Sequence, residues 1–206
     1  MPLERVYSSP KSIWGMWRIT EDETSLAAEV ASEKVPEALS NVLKRLEFLA
    51  GRALIKALLA QWDIQFKGIE KDLFGKPFLA EAGAYISLTH SYPHVAAILH
   101  KEKNVGIDLE QPKDKLLRIA PRILSPEELE DAGDDVIKHC VYWCAKESLI
   151  KIYGKKDLVF ASNLRISPFQ LAQSGHLLGQ IVASDMQTTI PLEYILFDNF
   201  VVVVSK

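Results

Sequence analysis

Apolar positions along the chain recur either with a period near 3.6 or with a period near two, and the order of these runs sketches the fold. Residues 12–20 gather Ile13, Trp14, Met16, Trp17 and Ile19 among few helix-favouring neighbours, which predicts a first strand. A short helix-prone run to Ser32 follows the acidic Glu21-Asp22-Glu23. Beyond Pro36, Leu39, Val42, Leu43, Leu46, Leu49, Ala50, Ala53, Leu54, Ala57 and Leu58 keep a helical period to about Trp62. The chain then becomes strand-like at Ile64 and Phe66, turns at Gly75-Lys76-Pro77, and predicts a hairpin of residues 85–89 and 95–99 around Ser91-Tyr92-Pro93. In the second half, a strand at residues 105–110 leads through Gln111-Pro112 to a short helix stopping near Pro121. Ser125-Pro126-Glu127-Glu128 has the N-cap serine, N1 proline and N3 glutamate of a capping box. The next helix, from about Asp135 to Tyr153, ends at Gly154 as a C′ glycine would. Lys155 and Lys156 just beyond it complement the helix dipole or reach a phosphate. Strands at residues 164–166, 176–183 and 192–205, the last broken at Asp198-Asn199, complete the pattern.

Two of these runs carry chemistry. In Val105-Gly106-Ile107-Asp108-Leu109-Glu110 the period of two puts Asp108 and Glu110 on one face, about 6–7 Å apart. In the helix after Asp135, Trp143, Glu147 and Lys151 recur at i, i+4 and i+8, with Lys146 beside them. If that side faces the strand, three carboxylates converge. Two like charges about 4 Å apart repel by on the order of 4 kcal/mol at an effective dielectric of 20, and a hard divalent cation reverses the sign. Magnesium, which shares itself between carboxylates and substrate phosphates, suits such a set. Lys146 and Lys151 then suit a phosphorylated substrate. The same residues also read as the wet face of a strand and as an i,i+4 ion pair worth about 0.2–0.5 kcal/mol.

Composition narrows the classes. With 206 residues, 48% of them hydrophobic and 25% charged, the chain can bury a sizeable core in one domain or two small lobes. A formal charge of -3 lacks the basic excess of a nucleic-acid protein. The amino terminus does not have the layout of a signal peptide, and no apolar run reaches the ~20 residues of a spanning helix, so no membrane partner and a cytoplasmic location are expected. Cys140 and Cys144, with His139 nearby, fall short of the four ligands of structural zinc and read as reduced, packed thiols. His90 and His94 are separated by a turn, which argues against a helical metal pair.

Four segments in a fixed order add a resemblance. Phe74-Gly75-Lys76-Pro77, Ser87-Leu88-Thr89-His90-Ser91, Gly106-Ile107-Asp108-Leu109-Glu110 and Trp143-Cys144-Ala145-Lys146-Glu147-Ser148-Leu149-Ile150-Lys151 together resemble the 4'-phosphopantetheinyl transferase superfamily, in particular its longer, surfactin-synthetase-activating branch. The resemblance implies an α+β fold of two pseudo-symmetric lobes, residues 1–110 and 111–206, each a long helix packed on a small, mainly antiparallel sheet. It places the active site between them. It further implies a monomeric, magnesium-dependent enzyme, with manganese as a possible substitute. Such an enzyme moves the 4'-phosphopantetheine arm of coenzyme A to a serine of an acyl or peptidyl carrier protein and releases adenosine 3',5'-bisphosphate. Asp108, Glu110 and Glu147 would hold the metal, Glu147 would take the serine proton, and Lys151 would stabilise the departing phosphate. Asp108, Lys146, Lys151, Lys76, Thr89 and His90 would bind coenzyme A, joined by Arg45 and Arg52 of the first long helix. Carrier proteins being typically acidic and helical, a partly basic, partly apolar docking patch is expected. One departure stands out: Thr89 occupies the hydroxyl position of a motif that commonly reads Asn-x-Ser-His, and Ser87 replaces its asparagine. Two other readings stay open. One is a different magnesium-dependent enzyme of nucleotides or pyrophosphate, although neither a P-loop nor a Gly-x-Gly-x-x-Gly is present. The other is a non-catalytic module that binds carrier proteins or coenzyme A.

Overall fold

Two long helices, each laid on its own antiparallel sheet, organise the chain into α+β units that divide after Asn104. The computed structural model describes residues 3–31, 33–81, 83–155, 157–183 and 186–206. Lys156, expected near the end of the second long helix, lies outside them.

The first unit runs β1 (Leu3–Ser8), β2 (Ser12–Arg18), α1 (Glu23–Glu29), α2 (Val42–Ala60), β3 (Ile69–Lys71), β4 (Pro77–Leu79), β5 (Tyr85–Ser91) and β6 (His94–His100). Its sheet has the order β1-β2-β6-β5, and β3 and β4 form a separate small pair. Asn41 caps α2 by accepting from the Lys44 amide at 3.1 Å, satisfying one of the helix's orphan donors. Leu49, Ala53, Leu54 and Leu58 of α2 pack with Ile13, Ile86, Val95, Ala97 and Leu99 in one core. Ile64 and Phe66 form no strand: they are partly buried against this core from an irregular segment that follows Asp63 at φ 56°. β1 was not foreseen, because its residues are mostly exposed and give no alternating signal.

The second unit runs β7 (Ile107–Glu110), α3 (Lys115–Ile123), α4 (Pro126–Ala132), α5 (Val136–Tyr153), α6 (Phe160–Asn163), β8 (Leu164–Ile166), β9 (Ser174–Ala183), β10 (Met186–Phe197) and β11 (Phe200–Ser205). The sheet order is β7-β11-β10-β9-β8. The expected division after residue 110 compares with a break six residues earlier, since β7 hydrogen-bonds to β11 and so joins the second sheet. The capping box of α4 forms as its sequence predicts, and α5 ends on Gly154 at φ 83°. Pro121 lies within α3 rather than ending it. Cys140, Cys144, Ala145 and Leu149 of α5 pack with Leu192, Tyr194, Val201 and Val203 of the sheet. Both thiols are free, donating at 3.7 Å to the Glu110 carbonyl and at 3.8 Å to the Val201 carbonyl. Among the described residues no helix is long and apolar enough to cross a membrane.

Candidate active site

In the second unit the pairing register decides where the acids point. Asp108 lies opposite Val203 and Glu110 opposite Val201, and partners directly opposite share a face. Both valines belong to the core under α5, so Asp108 and Glu110 project toward that helix while Ile107 and Leu109 take the other face. Gly106 sets the depth of the approach. A Cβ there would come within 2.0 Å of the Ser148 carbonyl oxygen of α5, so only glycine lets strand and helix close to this distance. Ser148 ties α5 to the neighbouring strand β11 by donating to the Val203 carbonyl at 3.1 Å.

Where β7 meets α5, Lys151 donates to the Asp108 carboxylate and to the Ile107 carbonyl, each at 2.8 Å. Glu147, one turn earlier on α5, is pushed up to about 7. Burial contributes most, the negative charge of Asp108 adds to it, and Lys151 opposes both. Glu147 and Asp108 are thus electrostatic neighbours, brought there by separate segments. Glu110 accepts from the amide of Gln111 at 3.0 Å, and its other oxygen lies 3.6 Å from the ammonium of Lys115. Among the described residues, no three His, Cys, Asp or Glu side chains gather closely enough to hold a cation. The two neighbouring acids do offer a hard cation oxygen donors: Asp108 raises the proton affinity of Glu147, a repulsion that a cation between them would relieve, while Lys151 now supplies the positive charge beside Asp108.

Lys146 corrects the sequence expectation. It is completely buried, 2.6 Å from Glu128, and donates to the carbonyls of Ile123 and Phe160 at 2.8 and 3.1 Å. Glu128 also accepts from the amides of Ser125 and Ile166. One position along a helix turns a side chain by about 100°, so the neighbour of Glu147 faces the interior and pins α3, α4 and α6 to α5 instead of meeting a ligand. The same applies to Arg52. It is 7% exposed, paired at 2.7 Å with Glu33 and stacked 3.4 Å over the Phe48 ring, hence part of the first unit's core. Arg45 is engaged by Glu23 and by the Leu39 carbonyl.

The remaining predicted residues are in the first unit. Asp72 accepts from the amides of Phe74 and Lys76 at 2.8 and 2.9 Å, folding the Gly75 turn. Lys76 donates to Asn104 at 2.8 Å, and burial holds its ammonium below the usual lysine range. It lines a pocket of about 570 Å³ with Phe78, Tyr85, Lys101 and Glu102. Thr89 and His90 project from opposite faces of β5, Thr89 nearly buried and His90 about half exposed. Sequence reasoning missed Glu47, whose carboxylate is 3.2 Å from His90 Nδ1. Its signal was an acid within the apolar stripe of α2, three before Ala50 and seven before Leu54.

Comparison with known proteins bears on this geometry. Residues 104–196, from just before β7 to near the end of β10, match the family model of the 4'-phosphopantetheinyl transferase superfamily. Over that span the chain is similar to a 4'-phosphopantetheinyl transferase domain. Two curated relatives agree in kind. The 4'-phosphopantetheinyl transferase HetI of Nostoc sp. is 28% identical, with 68% of each chain covered. The 4'-phosphopantetheinyl transferase AcpT of Salmonella typhimurium is 27% identical, over 69% of this chain and 82% of AcpT. The enzyme class is therefore 4'-phosphopantetheinyl transferase. Asp108, Glu110, Glu147 and Lys151 all fall within the matched span of this transferase.

Proposed function

We propose that this chain, of the longer surfactin-synthetase-activating kind, transfers the 4'-phosphopantetheine arm of coenzyme A to a serine of an acyl or peptidyl carrier protein. The observation that carries the reading is the coupling of Glu147 to Asp108 beside Lys151. A carboxylate poised near neutrality suits a general base, since its proton affinity matches the working pH. Glu147 takes the proton of the incoming serine as the serine oxygen bonds to the phosphorus that carries the pantetheine. The bond from that phosphorus to the bridging oxygen breaks, and adenosine 3',5'-bisphosphate leaves. Lys151, released in part from Asp108, meets the charge on the departing phosphate. Asp108 and Glu147 are the residues that would hold magnesium, whose charge would offset that of the pyrophosphate. Lys76, Thr89 and His90 bind coenzyme A; Lys146 and Arg52 have no part in this.

The experiment is calorimetry with coenzyme A, with and without magnesium, followed by incubation with an unmodified carrier and intact-mass measurement. The expected result is magnesium-dependent binding and a mass gain of one phosphopantetheine. Binding with no transfer to any of several fatty-acid, polyketide and nonribosomal-peptide carriers would instead favour a binding module.

A further inference from the structure

Helix α2 and strand β5 meet in matching steps. Leu88 and His90, two residues apart on β5, are separated by about 6.6 Å, while Glu47 and Gly51, four apart on α2, are separated by about 6 Å. The two pairs register: a Cβ at Gly51 would stand 3.0 Å from the Leu88 side chain, and Glu47 Oε2 reaches His90 Nδ1 at 3.2 Å. Glu47 is 4% exposed, whereas the His90 side chain is 47% exposed. The carboxylate also accepts from the Lys44 ammonium at 2.7 Å and from the Tyr92 amide at 3.2 Å, so its direction is fixed from three sides.

We infer that Glu47 is a positioning residue for the substrate, holding the His90 ring by Nδ1 so that Nε2 is presented to a phosphate of coenzyme A. An acid fixed against one imidazole nitrogen keeps a proton there and orients the ring. In the imidazolium form both nitrogens donate, so Nε2 holds a phosphate oxygen while Nδ1 stays on Glu47. A buried carboxylate with a rigid amide partner serves this better than an exposed one, because the ring cannot swing away with it. The inference rests on the reading of the chain as a coenzyme A-dependent transferase.

The test is a double-mutant cycle of Glu47→Gln and His90→Ala, read by calorimetry with coenzyme A and by KM and kcat. A third arm follows the His90 imidazole nitrogens by 15N NMR in ligand-free protein. Each single variant is expected to weaken coenzyme A binding about tenfold and to raise KM by a similar factor with kcat little changed. The double variant is expected to bind no worse than His90→Ala alone. The Nδ1 proton of His90 is expected to lose its protected signal in Glu47→Gln. Wild-type affinity in Glu47→Gln, or a double variant that loses the product of the two single effects, would overturn the inference. Should Glu47→Gln not fold, Glu47→Asp, which keeps the charge and shortens the reach, takes its place in every arm. If the wild type binds no coenzyme A, the transferase reading fails, and the NMR arm alone decides whether Glu47 holds the ring.

Discussion

Glu147 holds its proton more tightly in the folded chain than in the unfolded one, and this ties stability to function in one side chain. Its value near 7 exceeds the ordinary 4.5, so between those limits the folded state is protonated and the unfolded state is not. Stability is therefore fully present below about pH 4.5 and falls as pH rises toward 7. Replacing Glu147 by Gln is expected to raise the melting temperature at pH 8 by roughly 4–8 °C, from on the order of 2 kcal/mol of relieved burial and repulsion, and to leave it nearly unchanged at pH 4.5. The same variant is expected to lose transfer. Calorimetric melts at the two pH values check the first statement, and a variant less stable than wild type at pH 8 would contradict it. The acids themselves were legible, because alternation in β7 and helical spacing in α5 each put them on one face. Lys146 was misread because spacing says which residues share a face, and only packing says which face is inside.

At the scale of elements, the close seam of β7 and α5 is what brings a strand acid to a helix acid. Gly106→Ala pushes a Cβ against a backbone oxygen that cannot rotate away, so a stability loss of about 3 kcal/mol or more and a collapse of kcat are expected together. Urea titration and steady-state kinetics measure both, and normal values would show that the seam does not matter. Lys146→Met separates structure from chemistry. It strips the counter-charge from Glu128, with an expected cost of about 3–5 kcal/mol, while kcat of the protein that remains folded stays within a few-fold of wild type. A selective loss of kcat would return Lys146 to the site. Helices, capping box and hairpins were visible in sequence because their signals are local. The tie of Lys146 to Glu128 and the pairing of β7 with β11 were not, since they join residues 18 and about 95 positions apart that no periodicity links.

At the scale of the molecule, each unit has its own core and its own helix-on-sheet layout, an arrangement that the family resemblance implied and that periodicity alone does not give. β1 and the small β3-β4 pair escaped notice because edge strands with wet side chains carry little pattern. Cation binding is expected to stabilise the whole chain through the acids of the second unit. Saturating magnesium should raise the melting temperature at pH 8 in wild type and much less in Asp108→Asn, with a smaller rise at pH 5, where Glu147 is protonated. An equal rise in both proteins would place the cation elsewhere. The most direct test remains the intact mass of an unmodified carrier after incubation with coenzyme A, magnesium and either wild type or folded Asp108→Asn and Glu147→Gln. Wild type should add one phosphopantetheine and both variants none; transfer at wild-type rate by the two variants would contradict the account.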